Sequence, residues 1–161
     1  MAEENQGAAQ EDRDVQMVVQ HVFLKDTSYE AKSPHEMDGA DGQPDMNVNL
    51  SQRTNQIDEG RFEVVLTVTL TAKQGDQTAF LCEVQYGGIF QFSGFTEQQM
   101  PYALNVLCPN VLFPYNRTQI SSIVAAGGYF MPPIQPINFE SIFRQRMQEA
   151  QAGQTEQTGQ A

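Results

Sequence analysis

Few residues in this sequence are of a type that does chemistry, and they are not grouped. The histidines His21 and His35 have no second histidine nearby, and the cysteines Cys82 and Cys108 lack the spacing of metal ligands. No nucleophile elbow or phosphate-binding loop is present. We therefore predict no catalytic centre, no metal site and no cofactor, and we expect structural or solvated histidines and buried core thiols.

The charge balance also limits the partners. The net charge is -11, from 20 acidic and 9 basic residues, and the basic residues are scattered. A nucleic-acid partner is therefore not expected, because no phosphate-neutralising patch is visible. An acidic surface favours basic partners, although solubility alone usually explains such a charge. The polar first fourteen residues contain no signal-peptide core, and no run of eighteen apolar residues could insert into a membrane, which predicts a cytoplasmic protein.

Period-two alternation predicts four strands in one domain spanning residues 15–150, between disordered tails at 1–14 and 151–161. The predicted strands are residues 15–30, 45–51, 62–72 and 78–92. Residues 31–44 predict a long crossover loop, a candidate mobile flap over a groove, and residues 55–60 predict a turn.

The last predicted strand has two distinct faces. Its apolar face carries Phe80, Cys82, Val84 and Tyr86, and the intervening residues Leu81, Glu83 and Gln85 form a mixed face. The pair at residues 87–88 is Gly-Gly, which predicts a bend or a bulge. A bent strand with a polar face is a candidate recognition surface.

Helix signals follow the strands. Thr96 and Gln99 fit a capping box, Pro109 and Pro114 predict kinks or breaks, and Gly127 is a stop signal. Asn138 is a predicted cap for a last helix with one apolar stripe. That stripe consists of Phe139, Ile142, Phe143 and Met147. Together the elements predict an α+β fold, in which a four-stranded antiparallel sheet packs against a long kinked helix and a C-terminal helix.

Five blocks of the sequence resemble the SecB family of bacterial export chaperones, and they occur in the family's order between about residues 17 and 147. The blocks are 25–31 (KDTSYEA), 62–69 (FEVVLTVT), 78–85 (TAFLCEVQ), 108–115 (CPNVLFPY) with Arg117, and 136–140 (PINFE). Agreement in five such blocks is not expected by chance.

The resemblance implies a homotetramer, built as a dimer of dimers, whose long helices lie between antiparallel sheets. It implies an ATP-independent holdase that keeps preproteins unfolded in the cytosol and delivers them to SecA, the motor ATPase of the translocon. Four residues would correspond to the acidic sheet surface that receives the basic, zinc-bearing tail of SecA. They are Asp26, Glu30, Leu81 and Glu83.

Two further sets of residues are expected to contact other chains. Cys82, Val84 and Tyr86 are expected at the subunit interface. A groove for unfolded preproteins is expected between the crossover strand, with Met46, Val48 and Leu50, and the stripe of the last helix.

Alternatives to this groove remain. The stripe of the last helix could simply cover the sheet. The chain could also be a specialised SecB-like chaperone or interaction scaffold dedicated to a single partner. An enzyme or a small-molecule carrier is disfavoured, because the sequence has no group of catalytic residues.

Overall fold

The computed structural model describes residues 14–40 and 42–158. Its four strands form a single antiparallel sheet in the order β1-β4-β3-β2. The strands are β1 (Gln16–Ala31), β2 (Asp45–Asp58), β3 (Arg61–Gln74) and β4 (Gln77–Ser93). The predicted four-stranded antiparallel sheet is confirmed. The predicted turn at 55–60 is wrong in its extent, because β2 continues to Asp58 and only Glu59 and Gly60 form the turn.

The crossover between β1 and β2 has some structure of its own. It contains a short 3₁₀-helix, Pro34–Met37, with a capping box between Ser33 and Glu36. Met37 is buried and belongs to the core. The crossover is therefore attached to the domain at Met37, which does not fit a flap that is free along its whole length.

One face of the sheet, called here the inner face, is covered by helices. These are α1 (Met100–Tyr102), a π-helical segment (Ala103–Leu107), α2 (Cys108–Ala126) and α3 (Phe139–Thr158). The predicted capping box is confirmed. The backbone N–H of Gln99 donates to the Oγ1 of Thr96 at 3.3 Å, and the backbone N–H of Thr96 donates to the Oε1 of Gln99 at 2.9 Å. The predicted stop is also confirmed, because Gly127 caps α2 and Gly128 has φ +84°.

The two interior prolines have different effects. A π-helical segment directly precedes Pro109, which confirms a distortion of the helix there. Pro114 lies inside α2 without interrupting it, so the expected break at this position is wrong. Both Pro114 and Asn110 are exposed, so water can replace the missing hydrogen bond to the carbonyl of Asn110.

The bulge predicted at Gly87 and Gly88 is wrong, because β4 keeps its register with both neighbours there. These glycines make room for aromatic rings: a Cβ on Gly87 would lie 2.6 Å from the Phe23 ring, and one on Gly88 would lie 2.6 Å from the Phe90 ring. The irregularities of the β1–β4 pairing lie instead in β1, between Val19 and His21 and between Leu24 and Asp26. The other pairings shift register near their turns, between Gln56 and Asp58 and between Ala72 and Lys73.

The two bulges of β1 change which side chains share a face. Each inserts one residue and so shifts the alternation, which places His21 and Phe23 opposite Ile89 and Gly87 on the outer face. Strict alternation along β1 predicts that His21 and Phe23 share a face with Met17, and this prediction is wrong. The second bulge shifts the alternation back before Asp26.

The termini are only partly described. Residues 1–13 and 159–161 lie outside the described residues, so the predicted tails cannot be compared there. Residues 151–158, which were expected to be a disordered tail, continue α3. None of the described helices is long and apolar enough to cross a membrane.

Candidate functional site

An apolar cleft opens on the inner face between β2 and α3, and we call it the β2–α3 cleft. Its volume is about 390 Å³ when the open solvent at its mouth is included. Its apolar lining consists of Leu50, Leu66, Phe139, Ile142 and Phe143. Its polar lining consists of Ser51, Gln52, Asn105 and Arg146. The cleft thus brings several partly exposed apolar side chains together on one surface.

Local interactions hold α3 in place beside the cleft. The Oδ1 of Asn138 accepts a hydrogen bond from the backbone N–H of Ser141 at 2.9 Å, which confirms the predicted cap. The ring of Phe139 packs edge-on against Phe113 at 5.9 Å, and the ring of Phe143 packs edge-on against Tyr102 at 6.0 Å. The first half of α3 is thus anchored by aromatic contacts, whereas residues 144–154 are exposed.

The π-helical segment forms another wall of the cleft. Its i→i+5 pattern is seen where the N–H of Cys108 donates to the carbonyl of Ala103. The same pattern would pair the carbonyl of Leu104 with Pro109, which has no N–H. The Nε2 of Gln52 on β2 donates to this carbonyl instead, at 2.9 Å. Gln52 therefore ties β2 to the helical layer at the cleft.

Four of the seven residues predicted for a groove lie together in the cleft. Leu50, Phe139, Ile142 and Phe143 line it, although Phe139 is largely buried against the core. Met46 and Val48 are on the same face of β2 but nearer its start, where they pack against the core outside this cleft. Met147 is 47% exposed and also lies outside the cleft lining.

The cleft contains polar residues that the sequence did not single out. Gln52, Asn105 and Arg146 line it with the apolar side chains. The spacing of Arg146 from Phe143 by three residues indicates a shared helix face. Gln52 and Asn105 reach the cleft through sheet register and the π-helical turn, for which the sequence has no local signal.

A second candidate surface lies on the outer face of the sheet, and we call it the acidic patch. It consists of Asp26, Glu30, Leu81 and Glu83. In the register, Glu30 is opposite Leu81, Ser28 is opposite Glu83, and Asp26 is opposite Gln85. Side chains at such opposite and diagonal positions are within reach of one another. All four predicted residues therefore share one patch, as the alternation of the two strands indicates.

The acidic patch combines three carboxylates with one apolar side chain. Leu81 is 37% exposed, and Asp26 and Glu30 are exposed around it. Glu83 is half-buried and accepts a hydrogen bond from the Oγ1 of Thr69 at 3.1 Å. A hydrogen-bonded Glu83 is held in a fixed direction, which suits the recognition of a basic segment.

The residues expected at a subunit interface differ in exposure. Cys82 and Val84 have no exposed surface in the single chain, because the helices cover the inner face of β4. Any part that Cys82 and Val84 play at a subunit interface would act through the packing of the inner face, and it stays a prediction. Tyr86 is half-buried and faces Tyr115 at 5.6 Å, in a cleft of about 520 Å³. Its place at an interface stays a prediction.

Burial also determines the protonation state of the two thiols. Desolvation raises the pKa of Cys82 to about 11 and that of Cys108 to about 12, so both thiols stay protonated near neutral pH. Within the described part of the chain, no group of three or more histidines, cysteines and carboxylates could hold a metal ion.

Comparisons with known proteins show the family to which the chain belongs. The family model described as "Preprotein translocase subunit SecB" matches residues 10–150. The protein-export protein SecB of Alkalilimnicola ehrlichii is 40% identical over 158 residues, which are 97% of this chain and 83% of that protein. The protein-export protein SecB of Hydrogenovibrio crunogenus is 40% identical over 149 residues, covering 92% of this chain and 99% of that protein.

A solved structure has a similar fold. It is the SecB-like chaperone of Mycobacterium tuberculosis in complex with a peptide from the HigA1 antitoxin, with a TM-score of 0.61 at 12% sequence identity. The similarity covers 75% of this chain and 90% of that chain. From the family match and the two relatives, the chain belongs to the SecB family of protein-export chaperones, which are not enzymes.

Proposed function

We propose that this chain is an ATP-independent holdase that binds unfolded preproteins in the cytosol and delivers them to SecA. The β2–α3 cleft would hold apolar and aromatic segments of the client, and the acidic patch would receive the basic tail of SecA. The chain would act as a homotetramer, a dimer of dimers, so that several clefts bind one long client. The observation that carries the proposal is the cleft itself, with Leu50, Ile142 and Phe143 open at its surface.

The shape and lining of the cleft support binding of unfolded chains over binding of a small molecule. The cleft offers the apolar surface of five side chains together with four polar residues that can form hydrogen bonds. An unfolded chain has not yet buried its apolar side chains, so it gains the transfer free energy of burial by entering such a cleft. A folded protein has already buried the same groups and gains nothing.

The acidic patch supports an encounter with a basic partner. Its three carboxylates attract a basic segment over a distance of about 10 Å at 0.1 M salt, and Leu81 adds an apolar contact once the segment has docked. The patch lies on the outer face and the cleft on the inner face. A client and SecA would therefore bind the same subunit without competing for surface.

Light scattering tests the holdase proposal. A slow-folding preprotein diluted from denaturant should aggregate less in the presence of a stoichiometric amount of this chain, without added ATP. Unchanged aggregation would contradict the proposal. A panel of unrelated unfolded proteins should compete for binding, whereas binding of a single protein from the panel would favour the dedicated chaperone.

The acidic patch is tested by the charge reversal Glu83→Lys. We expect weaker SecA binding at low salt and a smaller difference from wild type at high salt, because screening removes the attraction in both proteins. Glu97→Lys, at an exposed position before α1, is the matched control. Equal SecA affinity of the Glu83→Lys variant and wild type at low salt would remove the patch from the proposal.

A further inference from the structure

A lysine at the border of the acidic patch does not pair with it. Lys25 is the extra residue of the second bulge of β1, between Leu24 and Asp26. Its Nζ contacts the Oε1 of Glu63 on β3 at 2.8 Å. Among the described residues, the three carboxylates of the acidic patch take part in no ion pair. The cation next to the patch is thus bound by Glu63, while the patch carboxylates stay open.

The position of Glu63 keeps the ammonium of Lys25 outside the patch. Glu63 is opposite Ile89 on β4, whereas Asp26 is opposite Gln85. Four residues of a strand span about 13 Å, so Glu63 lies well beyond the end of the patch at Asp26. The side chains of Lys25 and Glu63 are only 36% and 25% exposed, so their ion pair is partly shielded from water. Such a pair is more persistent than one on the open surface.

The charge of Lys25 matters because the patch is small. Its three carboxylates already have one cation beside them, Lys32, which follows Glu30 by two residues and donates to the Oε1 of Gln77 at 3.3 Å. The local net charge is therefore about -2, and an unpaired Lys25 would halve it to about -1. Neutralisation of Lys25 thus decides how strongly the patch attracts a basic segment.

We propose that Glu63 is a positioning residue for the acidic patch, which holds the ammonium of Lys25 away from Asp26 and so keeps the patch open to a basic partner segment. The inference rests on the proposed function, because it assigns a role beside the surface that would receive SecA. Glu63 itself would not touch the partner. Without its carboxylate, the ammonium would turn back towards Asp26 and compete with the cations of the partner.

Isothermal titration of the full chain with SecA at low salt tests the inference through a cycle of two single variants and their combination. Glu63→Gln should weaken SecA binding about fivefold, because Lys25 then competes for the patch. Lys25→Gln should bind SecA more tightly than wild type, by about twofold at most. Added to Lys25→Gln, the change Glu63→Gln should alter the affinity by less than about twofold, because no ammonium is left to release.

A matched control separates this role from the loss of one negative charge. Glu59→Gln removes a carboxylate from the exposed turn before β3, and Glu59 forms no ion pair with any described residue. It should change SecA affinity by less than about twofold. Recovery of affinity in the double variant cannot be explained by a loosened fold, because that variant lacks the whole ion pair.

The outcomes separate this inference from the proposed function. Wild-type affinity in Glu63→Gln, an equal loss in the double variant or in Glu59→Gln, or weaker binding by Lys25→Gln would overturn the inference and leave the patch as a site for SecA. Wild-type affinity in Glu83→Lys would instead overturn the proposed role of the patch, and this inference with it.

Discussion

At the scale of single residues, Asn116 connects the helical layer to the sheet. It is fully buried, and its Nδ2 donates to the carbonyls of Leu66 on β3 at 3.1 Å and Val84 on β4 at 2.9 Å. The two hydrogen bonds specify how α2 sits on the sheet, because another position would leave the buried Nδ2 without a partner, as the Oδ1 of the same amide already is among the described residues. The sequence predicted neither the burial nor the partners.

We expect Asn116→Ala to lower the free energy of unfolding by about 1–3 kcal/mol, since it removes two buried hydrogen bonds. Urea denaturation at fixed protein concentration measures the change. Asn110→Ala, at an exposed position of the same helix, is the control and should stay within about 0.5 kcal/mol of wild type. Equal losses in the two variants would contradict the assigned role.

The two buried thiols predict a pH dependence. Burial holds the pKa of Cys82 at about 11 and that of Cys108 at about 12, whereas an unfolded thiol has a pKa of about 8.5. The folded state binds these protons more tightly, so their contribution to stability is complete below the unfolded pKa and is lost as the pH rises towards 11–12.

Urea denaturation under reducing conditions at pH 8 and pH 10 checks this dependence. We expect the wild type to lose stability between the two values, because the thiols of the unfolded state ionise and those of the folded state do not. The double variant Cys82→Ala/Cys108→Ala should lose less over the same interval. An equal loss in the double variant would exclude the thiols as the cause.

At the scale of elements, the sequence predicted the features that depend on neighbouring residues alone. The alternation of β4 and the caps at Thr96 and Asn138 follow from neighbouring residues, and the structure confirms them. The bulges of β1 depend on pairing with β4, and the residues at those places have no signal of their own. The link between the π-helical segment and β2 likewise depends on a distant residue, because Gln52 lies 52 residues from Leu104 in the sequence.

Two prolines of the helical layer allow a test of how each affects its helix. Pro114 lies inside α2, where alanine would restore the hydrogen bond to the carbonyl of Asn110, so Pro114→Ala should raise the free energy of unfolding by about 1–3 kcal/mol. Pro101→Ala in the first helical turn is the matched control, and it should change stability little, because the N–H there has no helical partner. A loss of stability in Pro114→Ala would show that the proline makes a contact worth more than the missing hydrogen bond.

At the scale of the whole molecule, one sheet separates two surfaces. The acidic patch lies on the outer face across β1 and β4, and the β2–α3 cleft lies on the inner face at the opposite edge strand. The family resemblance supplied the four residues of the patch, and alternation within each strand placed Asp26 with Glu30 and Leu81 with Glu83. The pairing of β1 with β4, which joins the two pairs, was not predicted. The sequence predicted the cleft only in part, because the cleft also depends on where α3 and the π-helical segment meet β2.

This separation predicts that the two activities can be lost independently. Phe143→Ala should reduce client binding and leave SecA binding unchanged, because Phe143 lies in the cleft and not in the patch. The opposite is expected of Glu83→Lys. Loss of both activities in either variant, with an unchanged circular dichroism spectrum, would contradict separate surfaces.

The affinity of the Phe143→Ala variant for an unfolded protein tests the central claim most directly. Anisotropy of a labelled, permanently unfolded preprotein should show binding about five- to tenfold weaker than that of wild type, as for an aromatic side chain at the centre of a contact. Ser141→Ala, at an exposed position outside the cleft lining of α3, should bind like wild type. Wild-type affinity in a folded Phe143→Ala variant would contradict the assignment of client binding to the β2–α3 cleft.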